Sequence, residues 1–304
     1  MSSPPLPPPH LRMGGVHFRS DAKFRAGAVR DARRLVRRVG LGPDSRVLDW
    51  GCGAGRLAVG IKLELGQVGD YHGVDVQPEL LTWAADNLSD EHTRFTLVDQ
   101  RNARYNPDGA TTFEIPSGDG SVDVFYAYSV FSHMVTEDVA GYSRTIARIL
   151  APTGRAFLTA FVEDGVPDCE ENPEGYLELA WKGPLHCVRF DRPFFERLLF
   201  DAGLGVEEYV HGKETDGQSL YILRRLGPAV EGVLAGHPVR DLGHLLVVRE
   251  AAASLGAAQE RQLLGAAIAL DGALERLEAG QPVGDDAGAG GHRVVQAVGR
   301  EAVG

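Results

Sequence analysis

Cysteine is scarce: three thiols in 304 residues, widely spaced and odd in number, which excludes a disulfide framework and a Cys-rich zinc site. No stretch approaches the roughly 20 consecutive apolar residues that a membrane span requires, and the start, MSSPPLPPPH, has neither the basic nor the apolar segment of a secretory signal. A reducing, cytoplasmic setting is the expectation. Basic residues are the minority, 31 Lys and Arg against 42 Asp and Glu, for a net charge of −11. That balance disfavours general nucleic-acid binding, which needs a basic surface. One local exception runs from Arg19 to Arg38, where eight basic residues face only Asp21 and Asp31. The hydrophobic share of 43% and charged share of 24% are those of an ordinary globular protein.

The chain has room for one large α/β domain plus an appendage. Residues 1–20, rich in proline and then glycine, are expected as a flexible lead-in. Residues 21–39 have helical spacing, with Ala28, Val29, Ala32, Leu35, Val36 and Val39 on one side and Arg30, Arg33, Arg34, Arg37 and Arg38 over much of the rest. Strand and helix signals then alternate, as in parallel βα units. Strands are expected at 46–49, 71–76, 94–98, 122–128 and 156–161, and helices at 55–65 and 78–88. A further helix begins where Thr136 caps it and another at Asp191. Two last strands, 206–210 and 220–223, close the series. The resulting fold class is a Rossmann-like sheet of seven mostly parallel strands with an antiparallel last strand, occupying residues 21–226.

Two stretches stand outside that alternation. Residues 100–121 form a long loop of the kind that carries function or mobility. Residues 162–190 are an insertion, acidic at its start (Glu163, Asp164, Asp168, Glu170, Glu171 and Glu174) and expected as a substrate cap. Those carboxylates have no accompanying histidine pattern, so no metal site is assigned. Beyond about residue 226 the composition shifts to Ala, Gly and Leu. Leu263, Ala267, Leu270, Leu274 and Leu277 make a heptad seam in a helical extension over 227–280, read either as packing on its own domain or as a homodimer contact. Residues 281–304 are expected to be a disordered tail.

The informative stretch is VLDWGCGAGRL, residues 47–57: a strand ending near Asp49, then Gly51, Gly53 and Gly55 turning into a helix. Such a turn lets the backbone approach a ligand closely. A dinucleotide fingerprint would place its third glycine where Arg56 stands; the spacing here is G-x-G-x-G, which suits a nucleoside carrying an amino-acid tail. Asp75 ends the second strand, 24 residues beyond Gly51, where a carboxylate can accept from both ribose hydroxyls. Cys52 reads as a small buried filler.

From about residue 40 to 225 the chain resembles the class I S-adenosylmethionine-dependent methyltransferases. VLDWGCGAG is similar to their first motif, GVDVQPELLTWA to their second, VDVFYAYSVFSHM to the fourth-strand motif and ILAPTGRAFLTAF to the fifth-strand region. The YNPDG loop and the SVFSHM run further resemble bacterial small-molecule and sugar-modifying members. The resemblance implies S-adenosylmethionine as cofactor. Gly51, Gly53 and Gly55 would line its methionine tail, with Asp49 at the ammonium and Asp75 at the ribose. Val76 would lie against the adenine, Asp99 and Gln100 would reach the adenine amino group, and Ser129 would lie beside the sulfur. Asp99 can equally be a turn-forming residue.

Methyl transfer is an in-line displacement in which the protein aligns the acceptor and, where needed, removes a proton. His133, four residues past Ser129 at the carboxyl edge of the sheet, is the candidate base, or else a histidine that holds the loop. Tyr128, Tyr105, Asn106, Trp181 and His186 are candidate acceptor contacts, with loop bracing and burial as competing roles. Of the two tyrosines on one side of the fourth strand, Tyr126 and Tyr128, only Tyr128 is expected to reach the pocket. The leading expectation is methylation of oxygen or nitrogen on a small-molecule acceptor. RNA or peptide methylation through the Arg30–Arg38 face, and a non-catalytic cofactor-binding scaffold, are the alternatives. No N-P-P-Y-type motif follows the fourth strand, which reads Tyr128-Ser129-Val130-Phe131.

Overall fold

A computed structural model describes residues 3–226. The heptad helix, the tail and the homodimer contact expected beyond residue 226 lie outside the described residues.

The first helix, α1 (Asp21–Val39), starts where the Ser20 hydroxyl accepts from the Lys23 N–H and ends where Gly40 turns left-handed. Its Phe24, Ala28, Ala32 and Leu35 are buried, while Val36 stays exposed. Then come β1 (Arg46–Trp50), α2 (Arg56–Glu64), β2 (Asp70–Asp75), α3 (Pro78–Leu88), β3 (Thr93–Leu97) and β4 (Val122–Ala127). They are followed by α4 (Thr136–Ile149), β5 (Leu150–Glu163), β6 (Cys169–Glu171), β7 (Val188–Asp191), α5 (Arg192–Asp201), β8 (Leu204–Val210) and β9 (Ser219–Arg225). Thr136 is the first helical residue of α4 rather than its cap; Val135 occupies the cap, and its N–H donates to the Asp138 carboxylate at 3.2 Å.

Seven strands form the main sheet in the order β3-β2-β1-β4-β5-β9-β8, parallel except for β9, which runs against both β5 and β8. The insertion adds two more. β7 continues parallel to the last residues of β5, and β6 pairs antiparallel with β7. The sheet therefore has nine strands, because 162–190 folds back as a small annex on the carboxyl end of β5.

Helices cover both faces, as a parallel sheet requires. One core holds Phe125, Phe131, Ile146, Leu158, Phe195 and Leu199; the other holds Leu35, Val47, Leu57, Tyr71, Tyr126 and Phe157. The second is tight at one backbone crossing: a Cβ on Gly60 of α2 would stand 2.1 Å from the Ala28 carbonyl oxygen of α1. Only glycine permits that approach.

The segment ahead of α1 departs from expectation. Residues 9–11 and 16–19 are 3-10 turns, with Leu11 and Phe18 buried. Arg12 holds them: its guanidinium donates to the carbonyls of Pro7 (2.7 Å), Phe18 (3.1 Å) and Arg19 (3.0 Å) and to the Asp21 carboxylate (2.6 Å). A guanidinium with four acceptors converts a proline-rich leader into a folded strap.

Candidate active site

The carboxyl ends of β1, β2 and β4 open into a cavity of ≈ 1120 Å³. At one end the wall is the 49–54 loop. Gly51 has φ +79°, and a Cβ there would meet Val130 Cγ2 at 2.5 Å, so the backbone passes directly beneath the β4 loop. The N–H groups of Gly51 and Cys52 both donate to the Val74 carbonyl, at 2.8 and 3.1 Å, tying this loop to β2. Gly53 also lines the cavity. Gly55 does not: it caps α2 with its face against Leu88 and Ala84, so its role is packing rather than ligand contact.

Asp75 ends β2, buried, with its two oxygens accepting from the N–H groups of Gly53 (2.7 Å) and Gln77 (2.9 Å). Burial raises its pKa, and those N–H bonds pull it part of the way back. Each oxygen retains a lone pair for a diol. Asp49 is more deeply enclosed. Burial pushes it up to about 7, opposed by the Tyr71 hydroxyl, which donates at 2.5 Å, and by the charge of Arg56. A cationic ligand group beside it would restore the charged form.

Val76, Gln77 and Val98 continue the wall to Gln100. The Gln100 amide donates to the Glu114 carbonyl at 2.5 Å, while its Oε1 is buried without a partner. A buried acceptor left empty costs about 1–3 kcal/mol, and an amino group on a bound ring would satisfy it. Asp99 does not join the site. It is exposed and accepts from the Asn106 amide at 3.0 Å, and Asn106 also donates to the Gln100 carbonyl. Both residues brace the 100–121 loop; neither lines the cavity.

The wall beyond β4 is assembled from remote segments. Ser129 is held in the left-handed region at φ +57°, unusual for a residue with a side chain. Its N–H donates to Thr159 Oγ1 at 2.8 Å, the Thr159 hydroxyl donates to Gln218 Oε1 at 2.7 Å, and the Gln218 amide donates to Ser129 Oγ at 3.0 Å. Thr159 and Gln218 are buried, so this closed ring fixes the strained residue.

His133 faces the same cavity. Its Nδ1 lies 2.8 Å from the Leu185 carbonyl, an acceptor only, so Nδ1 carries the proton and Nε2 is the free acceptor. Burial, followed by smaller effects from Arg104 among others, lowers its pKa to about 4, so it is neutral at physiological pH. Tyr105 packs edge-on against it at 5.4 Å. From the insertion come Trp181, whose indole donates to the Tyr176 carbonyl, and His186, edge-on to Trp181 at 5.3 Å. Tyr128 donates to Glu214 (3.2 Å), which in turn pairs with Arg34.

Residues 48–158 match the family model described as a methyltransferase domain. The match runs from β1 into β5 and takes in the glycine loop, Asp75 and the β4 loop. The chain is similar in fold to three solved structures. The first is a chain of the complex between the Haloferax volcanii Trm112 methyltransferase activator and a methyltransferase (19% identity, 68% of this chain and 94% of that one, TM-score 0.49). The second is the [4+2]-cyclase SpnF (18%, 66% and 81%, 0.48). The third is geranyl diphosphate C-methyltransferase from Streptomyces coelicolor A3(2) (16%, 67% and 83%, 0.49).

The donor set fits S-adenosylmethionine, the cofactor that the sequence resemblance implies. The close-passing Gly51, the carboxylate of Asp75, the empty Oε1 of Gln100 and the buried acid Asp49 offer one partner each to a thioether tail, a ribose, an adenine and an ammonium. Among the described residues no His/Cys/Asp/Glu cluster could hold a metal, and no helix is long and apolar enough to cross a membrane. Part of the acidic start of the insertion is paired internally: Arg189 takes Glu163 (3.3 Å) and Glu170 (2.6 Å), and Arg192 approaches Asp164 at 4.0 Å.

Sequence reasoning missed most of the far wall. Leu11 to Phe18 of the strap, Arg34, Arg56, Tyr126, Glu214 and Gln218 all line the cavity. Tyr126 was expected to stop short of it. The alternation of Tyr126 with Tyr128 was the available signal, since both point to one face and stack at 6.1 Å.

Proposed function

We propose that this methyltransferase methylates oxygen or nitrogen of a small-molecule acceptor seated between Ser129, Tyr105 and His133 on one side and Trp181 and His186 on the other. The observation that carries the reading is the tautomer of His133. Its proton is held on Nδ1 by Leu185, which leaves Nε2 as the ring's acceptor, and the residue lines the cavity four positions past Ser129.

Asp49, Gly51, Gly53, Asp75, Val76, Gln100 and Ser129 would hold the cofactor, which supplies an electrophilic methyl group on a sulfonium. The acceptor hydroxyl or amine donates to His133 Nε2, which aims the nucleophile's lone pair. As the new bond forms, the acceptor's acidity rises sharply and the imidazole takes the proton in spite of its lowered pKa. The aromatic cap of Trp181, Phe161 and Tyr176 excludes water from that encounter.

The polymer alternative is disfavoured by the pairing of α1. Arg33 binds Glu64, Arg34 binds Glu214 and Arg38 binds Glu208, so much of the basic face is already neutralised. A cytoplasmic, small-molecule role fits this surface. The test is transfer from methyl-labelled S-adenosylmethionine into a lysate split by size. Label in the small-molecule fraction is expected; label confined to RNA or protein would overturn the acceptor class.

A further inference from the structure

Arg104 stands in the 100–121 loop and lines the cavity at its acceptor end. One side chain fixes its backbone relative to His133. Asn102 Oδ1 accepts from the N–H groups of Arg104 (3.0 Å) and Tyr105 (3.2 Å), while the Asn102 amide donates to the His133 carbonyl at 2.9 Å. The Arg104 guanidinium lies 5.5 Å from the centre of the Tyr105 ring, which itself packs edge-on against His133. One terminal nitrogen makes a long bond of 3.4 Å to the Pro184 carbonyl, next along the chain to the Leu185 carbonyl that holds His133 Nδ1. Arg104 and His133 are thus tied to adjacent residues of the insertion. The charge of Arg104 reaches both His133 and His186.

That charge has no counter-charge in contact. Among the described residues Arg104 makes no ion pair, and its Nε is buried without a hydrogen-bond partner. The carboxylates of this wall are engaged or exposed: Asp138 accepts from the Val135 N–H, Glu214 is taken by Arg34, and Asp216 is exposed. Neighbouring cations do not share the role. Arg30 and Arg56 pair with Asp31, Arg38 pairs with Glu208, and Arg101 turns back to the Pro107 carbonyl at 3.2 Å. An arginine N–H shut away from water and left unmet is costly to keep. The planar fork of Nε and a terminal nitrogen matches the two oxygens of a carboxylate or a phosphate.

We propose that Arg104 selects an acidic acceptor: a carboxylate or phosphate monoester on the small molecule seats against its guanidinium, while the nucleophilic oxygen or nitrogen faces His133. The inference rests on the small-molecule reading of the acceptor and narrows it to anions. Because Asn102, Tyr105 and residues 184–185 hold both side chains, the acidic group and the nucleophile are positioned as one unit.

The test uses the full chain, methyl-labelled S-adenosylmethionine and the small-molecule lysate fraction, split on an anion exchanger at alkaline pH. Amines are then uncharged, and carboxylates and phosphates are retained. Wild type is expected to label the retained pool. Phosphatase treatment of that pool separates the two sources: loss of acceptor activity marks a phosphate monoester, and survival marks a carboxylate. Initial rates against dilutions of the pool then compare wild type with Arg104→Gln and Arg104→Lys. A charge-assisted pair is worth roughly 10- to 100-fold in affinity. Arg104→Gln should raise the relative KM by that factor with kcat changed less, and Arg104→Lys should recover part of the loss. Affinity for S-adenosylhomocysteine, read by calorimetry, should stay near wild type in both. Should Arg104→Gln fail to fold by thermal melting, Arg104→Lys is read in the same way, with a rise of about 3- to 10-fold expected. Label confined to the unretained pool, or folded variants with the KM of wild type, would overturn the anion site and leave the small-molecule reading standing. Label in no small molecule at all would overturn that reading, and the anion site with it.

Discussion

At the β1–β2 end of the cavity two short runs, Asp49–Ala54 and Val74–Gln77, supply most of the wall, and their polar groups are satisfied within and between those two runs and by Tyr71 of β2. At the β4 end the wall comes from β4 itself, the β5 core, the insertion and the 213–218 turn, and each polar group is held by a residue far along the chain. The local wall is a generic cradle for a nucleoside with an amino-acid tail. The composite wall is where an acceptor can be chosen, because each of its segments can vary without disturbing the cradle. Binding and turnover should therefore fail separately when the two ends are damaged.

The largest separation is expected at His133. With the labelled fraction as acceptor, His133→Ala should lower turnover by about 10²–10⁴-fold while leaving the affinity for S-adenosylhomocysteine near wild type. Asp75→Ala should do the reverse, weakening that affinity by about 1.5–3 kcal/mol, or roughly 10- to 100-fold, as read by calorimetry. Thr159→Val keeps shape but breaks the ring that holds Ser129 left-handed. A stability loss of about 1–3 kcal/mol in denaturant melts, with a fall in turnover exceeding any change in cofactor affinity, is the expected outcome.

How much of this was legible follows the same division. The order of strands and helices was readable because each βα unit carries its own period and its own stops, and the cradle because Gly51, Gly53, Asp75 and Val76 lie within two short motifs. Gly55 and Asp99 sit in those motifs or beside them yet face elsewhere, since one caps a helix and the other closes a turn on Asn106. The strap was illegible because its order depends on Arg12 finding three carbonyls and Asp21, which composition does not reveal. Tyr126, Glu214 and Gln218 needed the β4–β5–β9 pairing before they could meet.

Two smaller effects sharpen the cradle. Asp49 has a folded pKa of about 7, above its ordinary 3.8, so its protonated form is the one that folding favours. Its stabilising contribution is full below the unfolded value and is lost as pH rises through about 7. Asp49→Asn should therefore gain steadily on wild type in thermal midpoint as pH rises from acid to mildly alkaline, measured by melting at each pH. Asp99→Ala, by contrast, should change cofactor affinity less than about twofold (below roughly 0.5 kcal/mol), since its carboxylate points away from the cavity.

The most direct measurement is calorimetric titration of S-adenosylhomocysteine into wild type, Asp75→Ala and His133→Ala side by side. Separable ends predict that His133→Ala stays within about threefold of wild type while Asp75→Ala falls by roughly 10- to 100-fold. Equal losses in both variants, or an unchanged affinity in Asp75→Ala, would contradict the division of the cavity into a local cradle and a composite acceptor wall.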